Sequence, residues 1–154
     1  MEAYQLLTTW RLDAPLPQVW DAIHGVDHWP KWWRGLESVA ELEKGDKDGI
    51  GSLRRFTWKG ALPYRLRFEL RITAIEPLNQ IAGKAAGDLA GTGVWRFTRQ
   101  QGCTVVRYEW SVNTTKWWMN ALAPAARPLI VWNHDRVMAW GGAGLAGHLG
   151  VRLL

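Results

Sequence analysis

Four polar side chains fall where apolar neighbours are expected, and they carry the chemistry this chain has to offer: His134, Tyr64, Tyr108 and Arg54. On a helix turning about 100° per residue, Ile130, Val131, Val137, Met138, Gly141 and Leu145 all lie within about 60° of His134. Its imidazole therefore projects from the middle of an apolar stripe. A neutral ring there would orient a ligand oxygen, or move a proton if its pKa stayed near neutrality. The more ordinary role is that of a core histidine hydrogen-bonded to a neighbouring strand. Tyr64 and Tyr108 face inward by strand alternation, and a buried phenol needs a partner, which a ligand carbonyl, the backbone or water would supply. Arg54 shares a face with Phe56 and Trp58. An inward guanidinium suits a carboxylate or phenolate, whereas a rim arginine, or one paired with a glutamate, is the plainer expectation.

Other chemistries find less support. His24 and His28 are four apart, but Gly25 lies between them and no Cys or carboxylate completes a zinc set, so no metal is expected. The segment from Gly87 to Gly93 lacks the Gly-Lys-Ser/Thr ending of a phosphate loop and reads as a turn between strands. There is no Gly-x-Ser-x-Gly nucleophile motif. No cofactor is implied.

Twelve of the 154 residues are tryptophan, three of them between His28 and Arg34, with a further pair at Trp117 and Trp118. A compact core is more simply filled by Leu, Ile and Val, so this content points to a wide, aromatic-lined pocket. Trp58, Trp95 and Trp110 are expected on its wall. Trp29, Trp32, Trp33, Trp117 and Trp118 are expected at its mouth.

The elements that would position these groups are legible. A β-rich run from Ala3 to Leu12 precedes a helix through Gln18–Ile23, capped from Asp13-Ala14-Pro15 and ended by Gly25. A second short helix is expected over His28–Arg34. Strands follow at Leu36–Leu42, Ile50–Lys59, Tyr64–Ile75, Ile81–Ala86, Gly93–Thr98 and Thr104–Asn113. The last two form a hairpin through Arg99-Gln100-Gln101-Gly102. Tyr64, Leu66, Phe68, Leu70 and Ile72 alternate with Arg65, Arg67, Glu69, Arg71 and Thr73, the pattern of an antiparallel strand with one wet face. Those arginines, mixed with Glu69 and Glu109, read as a solvated sheet face and not a nucleic-acid surface. Val106, Tyr108, Trp110 and Val112 form the inner face of the last strand. From Thr115 the pattern is helical, interrupted by Pro124 and Pro128 and resuming from Leu129 to about Leu149. The small residues from Gly141 to Gly147 would let that helix approach the sheet or leave cavity volume. Seven antiparallel strands cannot bury their inner face with two short helices, so the long last helix should lie across it. The predicted class is α+β, a curved sheet gripping a helix, in one domain spanning residues 1–154.

Pro15-Leu16-Pro17-Gln18-Val19-Trp20-Asp21-Ala22-Ile23, then His28-Trp29-Pro30-Lys31-Trp32-Trp33, Leu42-Glu43-Lys44-Gly45-Asp46 and Gly49-Ile50-Gly51-Ser52 closely resemble the START-like, Bet v 1-like (SRPBCC) helix-grip superfamily, in its polyketide cyclase/dehydrase and lipid-transport branch. The likeness covers almost the whole chain in order. It implies a deep hydrophobic cavity between the concave sheet and the C-terminal helix, in members that bind lipids, sterols, polyketides or hormones or catalyse cyclisation or dehydration. Its motif residues set turns and helix packing, so no catalytic residue is carried over.

The expected function is binding of a hydrophobic, lipid-, polyketide- or aromatic-like molecule in that cavity. The expected contacts are Arg54, Trp58, Tyr64, Phe68, Trp95, Tyr108, Trp110, Trp117, Ile130, His134 and Met138. The runner-up is a cofactor-independent cyclase or dehydratase in which His134 or a tyrosine shuttles a proton. A third and weaker reading is a membrane-surface or partner-binding module using Trp29–Arg34, beside Lys31, Arg34 and Lys116. The net charge of +5 leaves acidic partners open. The lone Cys103 and the lack of a basic, apolar leader at Met1-Glu2-Ala3-Tyr4 predict the cytoplasm. The Val137–Leu154 run is marginal as a membrane span.

Overall fold

The computed structural model describes residues 3–154; Met1 and Glu2, part of the case against a leader, lie outside the described residues. Strand β1 (Ala3–Leu12) leads into α1 (Leu16–His24) and a 3-10 turn over Val26–Lys31. Six strands follow: β2 (Leu36–Glu43), β3 (Leu53–Lys59), β4 (Arg65–Glu76), β5 (Gln80–Gly87), β6 (Leu89–Gln100) and β7 (Cys103–Thr114). A one-turn α2 (Trp117–Ala121) and a 27-residue α3 (Ala123–Leu149) complete the chain. All seven strands form one antiparallel sheet in the order β1-β7-β6-β5-β4-β3-β2. This is the helix-grip architecture that the alternation implied.

The period-two pattern sorts the two faces. Phe68, Val106, Tyr108, Trp110 and Val112 are buried on the concave side. The convex side carries cross-strand ion pairs, Arg55–Glu69 at 2.9 Å, Arg65–Glu37 at 2.7 Å and Arg96–Glu109 at 3.0 Å, together with Arg71–Glu43. These pairs are exposed and screened by solvent, so they add little to stability. The β6–β7 hairpin turns on Gln101 and Gly102, whose φ of 49° and 83° match the two-residue turn with both centres left-handed.

Several local expectations need correction. Asp13 does not cap α1; Pro15 occupies that position, and Asp13 instead binds the C-terminal segment, its N–H donating to the Arg152 carbonyl at 3.0 Å. The second helix is a 3-10 turn that begins at Val26 and ends at Lys31, before Trp32, because Pro30 has no N–H to continue a helical ladder. Strand β3 starts three residues later than expected, since Gly49 and Gly51 hold left-handed φ of 94° and 90° in the preceding loop. The Gly87–Gly93 segment is not a turn: a bend at Asp88 separates β5 from β6, which begins at Leu89. A Cβ on Gly91 would lie 2.1 Å from the Ser111 carbonyl oxygen, so glycine is what allows β6 to pair there. Pro128 does not interrupt α3. The break lies at Leu122, Pro124 sits in the first turn where no N–H is needed, and Pro128 points to solvent inside the continuous helix. At the other end Gly150, with φ of 68°, closes α3: Val151 N–H donates to the Ala146 carbonyl and Gly150 N–H to that of Gly147.

Tryptophan and glycine together set how α3 sits. The indole N–H of Trp33 donates to the Val137 carbonyl at 2.8 Å, and that of Trp10 to the Met138 carbonyl at 3.1 Å. These are the carbonyls that Gly141 and Gly142 bond within the helix, one turn on. A Cβ on Gly141 would lie 2.4 Å from Trp33, and one on Gly142 would lie 3.0 Å from Trp10. One on Gly144 would lie 1.8 Å from the Trp32 carbonyl oxygen. The small-residue run therefore serves close approach to the indoles. Trp29, Trp32 and Trp33 are buried at 4%, 8% and 2% exposure, a correction to their expected place at a pocket mouth, because the glycines open room for them under the helix.

Gly144→Ala is expected to lower unfolding free energy by about 2–3 kcal/mol or more, through overpacking against fixed backbone. Gly147→Ala, with nothing within 4 Å of the new methyl, should instead stabilise the helix by up to about 1 kcal/mol. Denaturant titrations of the two variants check this, and equal shifts would contradict the packing described.

Candidate functional site

The C-terminal half of α3 is pressed onto tryptophan, whereas its N-terminal half stands away from the sheet over a cavity of about 110 Å³. An engineered apolar cavity of about 150 Å³ holds benzene, so the space is on the scale of one ring. The sheet contributes Phe56, Trp58, Leu66, Phe68, Tyr108 and Trp110, and the helices contribute Met119, Ile130, Val137 and Met138. Among the described residues, no lining side chain is a carboxylate, lysine or arginine. The polar groups are neutral ones, among them Tyr64, Tyr108, Thr114, Asn133 and His134.

One of these polar groups, Tyr64, is held by another, Asn133. This buried amide accepts the N–H of Ala61 at 2.7 Å and of Leu62 at 3.1 Å through Oδ1, and donates from Nδ2 to the Tyr64 hydroxyl at 3.3 Å. It thereby ties the β3–β4 connection to α3. Gly60 makes room, since a Cβ there would lie 2.3 Å from Oδ1. With its oxygen accepting from Asn133, the Tyr64 hydroxyl keeps its own proton to donate. Burial raises the Tyr64 pKa, so that proton stays in place near neutrality.

His134 has complementary capacity. Its Nδ1 lies 3.4 Å from the Asp135 carboxylate, which can only accept, so a bond there puts the ring proton on Nδ1. Nε2 is then a lone-pair acceptor, and it is buried without a hydrogen-bond partner among the described residues. Burial holds the pKa of His134 below its ordinary 6.5, outweighing the opposite pull of Asp135, so the ring is neutral at neutral pH. Tyr108 stacks on Trp95 with ring centroids 3.8 Å apart, and burial pushes its phenol far above the ordinary value of 10.0.

Of the sequence-predicted contacts, Trp58, Tyr64, Phe68, Tyr108, Trp110, Ile130, His134 and Met138 line this cavity. Arg54 and Trp95 do not. They line a separate space of about 30 Å³ beyond Phe56 and Tyr108. Arg54 is a rim residue, bonded to Asp27 at 3.0 Å and to the Ser52 hydroxyl at 3.0 Å; its acid is an aspartate and not the glutamate expected. Trp117 lines neither space and is 79% exposed, a correction that follows from the phase of the five-residue α2, which turns Met119 inward. Its neighbour Trp118 meets Tyr64 edge-on at 5.4 Å. Sequence reasoning missed Asn133 as a lining residue, and Trp29 and Trp33, expected at the mouth, line the cavity as buried side chains. An asparagine beside the apolar stripe of a helix was the available signal, because such a side chain is costly to bury unless it has partners.

Residues 12–134 match the family model for polyketide cyclase / dehydrase and lipid transport. The Zhui aromatase/cyclase from Streptomyces sp. R1128 is 16% identical with a TM-score of 0.73, over 96% of this chain and 93% of that one. A START superfamily protein from Mycobacterium smegmatis is 14% identical with a TM-score of 0.73, over 94% and 95% of the two chains. Major latex-like protein 151 from Panax ginseng is 10% identical with a TM-score of 0.72, over 95% and 97%. At such identities the likeness is one of fold. No curated protein matches the chain in sequence.

Because the folded state holds His134 below its unfolded pKa, the unfolded chain binds the extra proton as pH falls through 6.5, and stability falls with it. Between about pH 7.5 and about pH 5.5, wild type should lose more unfolding free energy than His134→Gln. Parallel pH dependence of the two proteins in urea titrations would contradict a buried neutral imidazole.

Proposed function

The chain belongs to the polyketide cyclase / dehydrase and lipid transport family, and from that premise we propose that it binds a small, uncharged, ring-containing molecule bearing a hydroxyl group in the cavity beneath the N-terminal half of α3. The observation that carries this reading is the composition of the lining: mostly aromatic and aliphatic, with no charged acid or base and with a buried Nε2 that lacks a donor among the described residues. Apolar burial would supply affinity, about 25 cal/mol per Å² of surface removed from water. A ligand hydroxyl would donate to His134 Nε2 or accept from the Tyr64 proton, fixing orientation. Trp58, Phe68, Tyr108, Trp110, Ile130 and Met138 would form the apolar contacts. A carboxylate would have to shed its hydration with no cation on the wall to receive it.

Calorimetric titration with para-propylphenol, propylbenzene and para-propylbenzoate tests the reading. The phenol should bind about tenfold more tightly than propylbenzene, the worth of one net hydrogen bond, and the benzoate most weakly. A preference for the benzoate would overturn the proposal.

One observation favours a second reading, catalysis of a cyclisation or dehydration. A neutral imidazole with a free lone pair in a water-poor cavity is equipped to take a proton from a ligand carbon or hydroxyl. A purely binding protein should keep a ligand after His134→Gln with altered affinity, whereas an enzyme should keep binding and lose turnover.

A further inference from the structure

The outer side of the segment that roofs the cavity is unlike the rest of the surface. Trp117, Leu122, Leu129 and Trp132 are 79%, 56%, 54% and 47% exposed. Every fully exposed side chain described between Trp117 and Trp132 is a tryptophan, leucine, proline or alanine. On α3, Leu129, Trp132 and Arg136 fall on one side of the helix, since steps of three and four residues nearly complete a turn. Contiguous exposed apolar surface of this kind marks an interaction site.

Its charges are mostly basic, although Lys116 is paired with Asp88 at 3.4 Å and the exposed Asp135 stands beside Arg136. From Lys116 to Leu149 the chain carries Lys116, Arg127 and Arg136 against one acid, Asp135. Arg136 lies over the exposed Trp132 ring at 5.8 Å, while Arg127, on the other side of the helix, lies over the buried Tyr4 ring at 4.5 Å; further along the helix Arg34 lies over Trp140 at 4.3 Å. A guanidinium laid on an exposed indole beside an apolar strip, in a chain of net charge +5, matches the boundary of a bilayer, where indoles sit among headgroups and arginines meet phosphates. A protein partner would be expected to meet about one hydrogen bond per 100–200 Å², and this strip offers few donors or acceptors beyond the indoles and guanidiniums. No helix of the described residues is long and apolar enough to cross a membrane, so the geometry is that of a helix lying on the surface.

We infer that the outer face of the α2–α3 elbow docks onto an anionic lipid surface. The opposite side of the same segment supplies Met119, Ile130 and His134 to the cavity, so docking brings the cavity roof to the lipid. The surface differs from the Trp29–Arg34 segment suggested by sequence, whose indoles are buried. The inference does not depend on what the cavity holds.

Co-sedimentation of the full chain tests it, with vesicles of phosphatidylcholine alone and with about one-third phosphatidylglycerol, at low salt. The protein should pellet with the anionic vesicles and far less with the neutral ones. Trp117→Ala/Trp132→Ala should weaken that partition on the order of tenfold or more with an unchanged melting curve. Arg136→Gln should weaken it about fivefold on anionic vesicles only. Leu42→Ser, at an exposed leucine on β2, should leave it unchanged. Absence of wild-type partition, equal partition of the double variant, or equal binding to neutral vesicles would each overturn the inference. So would a dimer in sedimentation velocity that the double variant dissociates, which would give the face to a second copy.

Discussion

Two indole N–H groups bonded to two consecutive helix carbonyls fix everything that follows. Trp33 and Trp10, in edge contact with each other, hold the carbonyls of Val137 and Met138, Trp10 from β1 and Trp33 from the segment after α1. A helix carbonyl already engaged by the N–H four residues later accepts a second donor only if the side chain at that later position is out of the way. Gly141 and Gly142 satisfy that condition. The arrangement sets the height and the rotation of α3 at once, which is why the residues one, two and three turns before Gly141, namely Val137, His134 and Ile130, face the sheet.

The same lock divides the space under the helix. Toward the C-terminal end Trp33 packs against Trp10, Trp29, Trp32, Trp58 and Trp95 with centroid separations of 5.0–6.2 Å, and glycines let the backbone settle onto them. Toward the N-terminal end the helix has larger side chains, stands off, and leaves the cavity. Asn133 holds that stand-off by engaging two backbone amides of the β3–β4 connection. The polar groups left over in the cavity are of two complementary kinds, a hydroxyl proton on Tyr64 and an unpartnered lone pair on His134. Both remain neutral near neutral pH because burial opposes their charged forms.

The sheet, its alternation and the inward placement of Tyr64, Tyr108, Trp110 and His134 were legible because period two and period 3.6 repeat over many residues. What was not legible depended on single contacts. Trp29, Trp32 and Trp33 looked like a pocket rim because a short proline-containing segment has no periodicity to reveal its buried side; only the glycines 110 residues later explain them. Trp117 and Trp118 were interchangeable on paper, since five residues of helix do not fix a phase. Arg54 was placed on the right face, yet Asp27 and Ser52 hold it at the rim of the smaller space. Pro128 was read as a break because the tolerance of a helix for proline depends on which side meets solvent.

The most direct test of the Trp-framed cavity is the set of twelve indole N–H resonances in a nitrogen-15 correlation spectrum, followed during titration with para-propylphenol. The account predicts saturable shifts at Trp58 and Trp110, which line the cavity, with the Trp10 signal slow to exchange and little moved because its N–H is held by Met138. Shifts confined to the exposed Trp117 and Trp132, or none at saturating phenol, would contradict it.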